Sequence, residues 1–151
     1  MKGLLIVYHS QSGRNEQLAG SLYRGAIRHE DTRVTLLRCV DVELSHLLQS
    51  DGVIWVGAEN FGLPNGMMLD CLARQFYSAG QSLAGTPFAL VLSTGNGGEG
   101  AIRHLRAFLG AMGMRECAEC TIFHGPLETE SFTQCEALGE GFATALSMGI
   151  Y

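Results

Sequence analysis

The chain predicts an α/β fold: one three-layer α/β/α domain over residues 1–151, with five parallel strands in the order 2-1-3-4-5. Three observations predict it. Continuous apolar runs at residues 3–8, 52–57 and 87–94 show little alternation, which marks strands covered on both faces. Helical periodicities separate these runs to the end of the chain. With 151 residues, 46% of them apolar and 17% charged, the chain has material for one sizeable core.

The elements follow in order. The first strand is Gly3–Tyr8. The helix after it carries Asn15, Leu18, Ala19, Leu22, Tyr23 and Ala26 at i, i+3, i+4, i+7 spacing. Arg33–Arg38 reads as the second strand and residues 41–50 as a short helix or turn. Gly52–Gly57 is the third strand, followed by a helix with Met68, Leu72 and Phe76 on one face. Pro87–Thr94 is the fourth strand, and Ile102, Leu105, Leu109 and Met112 share a face of the next helix. Cys120–His124 is a weaker fifth strand, and Cys135, Leu138, Phe142 and Leu146 mark the last helix. Trp55 falls inside a buried strand and is expected in the core. Right-handed crossovers place helices on both faces.

Composition narrows the function classes. A formal charge of −5 with no long basic run lacks the footprint of a nucleic-acid binder. The apolar runs are far too short to span a membrane. Met1-Lys2-Gly3 leads straight into a strand with no cleavage site, so no signal peptide is expected. Five cysteines, an odd and scattered set, suit reduced thiols in a cytoplasm. Cys117-x-x-Cys120 enters a strand instead of opening a helix, so buried thiols are expected there, not a redox pair or a metal site.

In doubly wound sheets ligands bind beyond the carboxyl ends of the strands, which directs attention to three loops. The first is "HSQSGRN", residues 9–15. A helix N-terminus offers unpaired N–H groups and partial positive charge. Gly13 permits close backbone approach, and Ser10 and Ser12 add hydroxyls to the N–H groups of Gln11 through Asn15. His9 and Arg14 could meet the same phosphate, the plainer alternative being that either is simply solvated. This is a phosphate cradle; the plainer alternative is that Ser12 caps the helix. The second loop, "GAENFGLPNG", residues 57–66, can lay backbone donors along a flat polar ring that Phe61 would cover. Its plainer reading is a strand-to-helix loop with Asn65 as cap. The third, "STGNGGEG", residues 93–100, contains Gly95, Gly97 and Gly100 in a literal G-x-G-x-x-G. A dinucleotide fingerprint follows the first strand of its unit, and this one follows the fourth, so the dinucleotide reading is rejected. Gly95 and Gly97 suit backbone lying against a flat ligand. The first loop has no cysteine for a phosphatase, the first strand ends in Tyr8-His9 without the acids of a receiver domain, and no P-loop lysine is present.

Together these stretches resemble the flavodoxin-like family, in particular its short flavodoxin and NAD(P)H-dependent FMN reductase-like members. "LLIVYHSQSGRNEQLA" is similar to the family's phosphate loop, Ser/Thr-x-Ser/Thr-Gly-x-Thr. "GAENFGLPNGMMLDCLARQF" resembles its second flavin loop, and "STGNGGEGAIRHLRAFLGAMGM" its third loop and helix. "FTQCEALGEGFATALSMGIY" resembles the final helix. Asn15 stands where the family often has Thr, and Ala58 precedes Glu59 without the family's proline. The resemblance implies bound FMN, which carries the chemistry so that no catalytic side chain is assigned. It implies NAD(P)H as electron donor and a quinone or other small acceptor. Glu59 and Asn60 would sit beside the flavin's reactive edge, with Phe61 and Gly62 after them, and Thr94, Asn96 and Gly98 would join Gly95 and Gly97 at the ring. Partners implied are a small acceptor or a redox partner protein, with a homodimer as a further expectation. Two alternatives stand beside this reading: a non-catalytic electron carrier, and a flavin-free regulatory or interaction domain on the same fold.

Overall fold

The computed structural model describes residues 1–151, the whole chain. Its strands are β1 (Lys2–Tyr8), β2 (Thr32–Arg38), β3 (Gly52–Asn60), β4 (Leu63–Pro64), β5 (Pro87–Thr94), β6 (Arg115–Glu116) and β7 (Thr121–His124). Its helices are α1 (Arg14–Ala26), α2 (Leu44–Leu48), α3 (Gly66–Ala79), α4 (Glu99–Ala111) and α5 (Thr129–Ser147), with a short 3-10 turn at Cys39–Asp41. The main sheet runs β2-β1-β3-β5-β6, all parallel, and β7 also pairs with β5.

Side chains alternate across β1, β3 and β5 and so supply two cores. Leu4, Ile6, Ile54, Val56, Ala89 and Val91 pack with Leu18, Leu22, Phe142 and Leu146 of α1 and α5. Leu5, Val7, Val53, Trp55, Leu90 and Leu92 pack with Leu47, Leu72, Leu105 and Leu109 of α2, α3 and α4. The expected three layers are therefore present, and Trp55 is fully buried. Every residue of β5 is buried, as its unbroken apolar run requires.

Two expectations are corrected. The sheet has seven strands, not five, because the outermost position is filled by two pieces. Three steps along β5, from Phe88 to Val91, face five along the outer chain, from Glu116 to Thr121. The surplus residues bulge out of the ladder and divide β6 from β7. The seventh strand comes from the loop expected at residues 57–66. Here β3 continues to Asn60, turns through Phe61 and Gly62, and returns antiparallel as β4, pairing Asn60 with Leu63 and Glu59 with Pro64. Both turn residues have positive φ, 53° and 78°, as a two-residue hairpin needs. Glycine takes that conformation freely, whereas phenylalanine does not, so the sequence signalled only half of the turn.

Close glycine contacts set the helix layers. A Cβ on Gly25 would stand 1.9 Å from the Glu136 carbonyl oxygen, and one on Gly139 would stand 2.1 Å from that of Leu22. Helices α1 and α5 therefore cross backbone against backbone. Arg24 and Arg28 then clasp Glu136 and Glu140 over the crossing, at 2.5–3.3 Å. No helix is long and apolar enough to cross a membrane.

Candidate ligand cleft

Strands β1, β3 and β5 lie side by side, so the loops after Tyr8, Asn60 and Thr94 converge at one edge of the sheet. They enclose a cleft of about 210 Å³. The structure brings Ser10, Gln11, Ser12, Arg14, Asn15, Glu59, Asn60, Thr94 and Gly95 into its lining, together with His9. Of the other residues singled out in the sequence, Gly13 shapes the first loop and Phe61 and Gly62 form the hairpin turn. Asn96, Gly97 and Gly98 continue the third loop; none of these six faces the cleft. Three lining residues had not been assigned: Ala58, Asn65 and Ser93. Ser93 had a weak signal, a hydroxyl near the end of an apolar strand. Asn65 had none, because an asparagine before a helix reads as a cap.

Helix α1 starts on Gly13, in the left-handed region at φ 96°, and no side chain caps it. Ser12 is therefore not the N-cap. Ser10 Oγ instead accepts from the Gly13 N–H at 3.0 Å, which tightens the loop and leaves the first-turn N–H groups without a side-chain partner. Asn15 is buried and bridges two strands. Its Nδ2 donates to the His9 carbonyl at 3.0 Å, and its Oδ1 accepts from Ser93 Oγ at 2.7 Å. The amide thus ties the end of β1 to the end of β5 beneath the loop. Arg14 donates through Nη2 to the Gly125 carbonyl, anchoring the first loop to the end of β7.

The second and third loops are tied as well. Glu59 Oε2 accepts from the Ala101 N–H at 3.0 Å, so a carboxylate from β3 serves the N-terminus of α4. A Cβ on Gly97 would lie 3.2 Å from the other oxygen of Glu59. One on Gly100 would lie 2.4 Å from the Gly62 carbonyl oxygen, so α4 begins directly against the hairpin turn. Thr94 Oγ1 donates to the Asn96 carbonyl at 2.8 Å, and His124 Nε2 lies 2.7 Å from the Gly97 oxygen. Next to His9, outside the cleft lining, Tyr8 is half-buried; burial, and then the negative charge of Glu16, push its phenol up. It is a neutral hydroxyl at neutral pH.

This lining suits a polar, anionic ligand. Ala58 is its single apolar residue. Two buried donors on it, Arg14 Nε and Asn65 Nδ2, have no hydrogen-bond partner. Buried donors are nearly always paired, so two on one cleft point to acceptors arriving with a ligand. The arrangement is that of an open α/β sheet with its binding crevice at the topological switch point.

No protein-family model matches the chain, and no curated protein sequence does. Solved structures do resemble it. A flavodoxin from the domain Archaea superposes with a TM-score of 0.84 at 19% identity, over 95% of this chain and 98% of that one. A WrbA-like flavodoxin from Agrobacterium tumefaciens gives 0.78 at 16% identity, over 98% and 99%. The flavodiiron protein from Giardia intestinalis gives 0.83 at 15% identity, over 99% of this chain and 37% of that one. The fold of the chain is flavodoxin-like.

Proposed function

We propose that the chain is an FMN-binding redox protein and that the cleft is its flavin site. The observation that carries this reading is the uncapped start of α1 beside Arg14, at the mouth of a cleft with unpartnered buried donors. The phosphate would be held by N–H groups of residues 11–15 and by the hydroxyls of Ser10 and Ser12, with Arg14 adding charge. Phe61 supports a ring beyond the phosphate. It is the one non-glycine residue with positive φ, and its side chain is fully exposed at the hairpin tip. An αL phenylalanine with no packing partner is a strain that burying the ring against a flat ligand would offset.

When bound, FMN supplies hydride acceptance and its release as one or two electrons. The chain's own residues would bind and orient it, with Glu59 beside its ring. We infer an oxidoreductase that draws on NAD(P)H and delivers to a quinone or other small acceptor. A carrier that docks on a partner protein is the second reading. The exposed apolar rim of Phe61 and Leu63 favours it, because such a rim suits a protein surface.

The visible absorption spectrum of the purified protein, followed by FMN titration, tests the flavin reading. Flavin bands and quenched FMN fluorescence are expected; a colourless protein that leaves FMN fluorescence unchanged overturns it. Turnover with NAD(P)H and a quinone, without a second protein, separates the oxidoreductase from the carrier.

A further inference from the structure

Asn65 occupies the N-cap position of α3, where an asparagine ordinarily turns its side-chain oxygen onto the helix's own N–H groups. It makes no such bond. The side chain turns the other way, and Oδ1 accepts from the Ala58 N–H at 3.1 Å, while the Asn65 N–H donates to the Ala58 carbonyl at 3.0 Å. The residue is thereby locked to the end of β3. Room for the amide comes from Gly57, where a Cβ would stand 2.8 Å from Oδ1. With the oxygen fixed on Ala58, the remaining branch, Nδ2, is also fixed. It is buried in the wall of the cleft and has no partner in the chain. An amide held this firmly, with one end satisfied and the other bare, is a donor waiting for an acceptor.

The position of the donor narrows what it meets. Asn65 joins Ala58, Glu59, Asn60, Ser93, Thr94 and Gly95 in the part of the lining that the second and third loops supply, whereas the uncapped helix start belongs to the first loop. In the flavin reading the phosphate is served at that helix start, by α1. We propose that Asn65 is a ligand-binding residue, its Nδ2 donating to an uncharged oxygen of the flavin, a ribityl hydroxyl or a ring carbonyl. This rests on the flavin reading above.

The test uses Asn65→Asp, which keeps an oxygen for the Ala58 N–H and replaces the donor by an acceptor, and Asn65→Ala, which introduces no charge. Dissociation constants of FMN and of riboflavin are measured by flavin fluorescence quenching on the full chain, with thermal unfolding of the flavin-free protein as the control for folding. Both variants are expected to bind both flavins about tenfold more weakly or worse, the scale of one lost hydrogen bond. Riboflavin carries the decision because it has no phosphate for the new carboxylate to repel. Riboflavin affinity within twofold of the parent in both folded variants overturns the assignment, even if FMN binding falls. A parent that binds neither flavin overturns the flavin reading itself, and the assignment with it.

Discussion

Phe61 is where local strain and exposure coincide. Its left-handed backbone costs on the order of 1 kcal/mol relative to a residue that tolerates φ > 0. Asparagine tolerates it. Phe61→Asn is therefore expected to stabilise the flavin-free protein by about 1 kcal/mol, read by urea denaturation, while weakening flavin binding several-fold. A variant with no gain in stability would mean that the turn holds phenylalanine without strain. Glu59 poses the neighbouring question. Its carboxylate receives the Ala101 N–H and stands beside Gly97, at the seam of the second and third loops. Charge on it opposes the negative charge that reduction brings to a flavin. Glu59→Gln should raise the reduction potential and, through the weakened helix N-terminus, cost about 0.5–1 kcal/mol of stability. A potential equal to the parent's in a redox titration would place the carboxylate outside the ring's field. Single residues also mark the limit of the sequence reading. The first loop was legible because serines and glycine at a strand-to-helix turn have few uses. Asn65 was not, because its residue type suits a cap and only coordinates reveal which way the amide turns.

Among elements, α1 and α5 depend on two glycines that the apolar periodicity never signalled. Gly139→Val should cost about 3 kcal/mol or more, since the side chain collides with backbone that cannot yield. Gly141→Ala, on the same helix with nothing near its Cβ, should instead stabilise by about 0.5–1 kcal/mol. Equal effects in urea titrations would show that helix propensity, not the crossing, governs both sites. The clasp over this crossing responds to acid. Hydrogen bonds from Arg28, then Arg24, hold the Glu136 carboxyl below its ordinary range. Its folded pKa lies below its unfolded one, so its contribution is present above the ordinary carboxylate range and fades as pH falls through the depressed value. Glu136→Gln should flatten that part of the acid limb and leave the neutral-to-alkaline limb parallel to the parent's. The strand elements were the most legible part of the fold, because a buried parallel strand writes itself as an apolar run. The hairpin was not, since β4 is two residues long and its turn breaks the usual glycine rule.

For the whole molecule, five free thiols report how tightly the layers close. Burial pushes Cys135 up to about 12 and Cys120 up to about 11. The hydrogen bond that its thiol donates to Cys71, and then burial, raise Cys39 well above the ordinary thiol range. Thiolates are the reacting species, so these groups stay inert at pH 8 in the folded chain. Of the two partly exposed thiols Cys117 should be alkylated first, Cys120 being held back by its raised pKa, and the buried Cys39, Cys71 and Cys135 should follow only on unfolding, as peptide mass mapping would show. Modification of Cys135 at the rate of Cys117 would mean that α5 opens at equilibrium. The three-layer architecture was readable from alternation of strand and helix alone. The outer edge was not, because the bulge between β6 and β7 depends on register against β5, a long-range match that no local pattern encodes.

That bulge also bears on self-association of the chain. An unbroken strand at the margin of a sheet is a template on which another polypeptide can extend the ladder and seed aggregates. On the β5 side the margin is cut into pieces of two and four residues, too short to guide such growth. The β2 side is a continuous seven residues, with Arg33 and Arg38 near its two ends. Two copies meeting there antiparallel, centred on each other, would set Arg33 of each opposite Leu37 of the other and Arg38 of each opposite Thr32. Each new strand would still have to accommodate a charged side chain near both ends of that margin, so both margins of this sheet discourage fibrous growth, one by interruption and the other by the charge it carries.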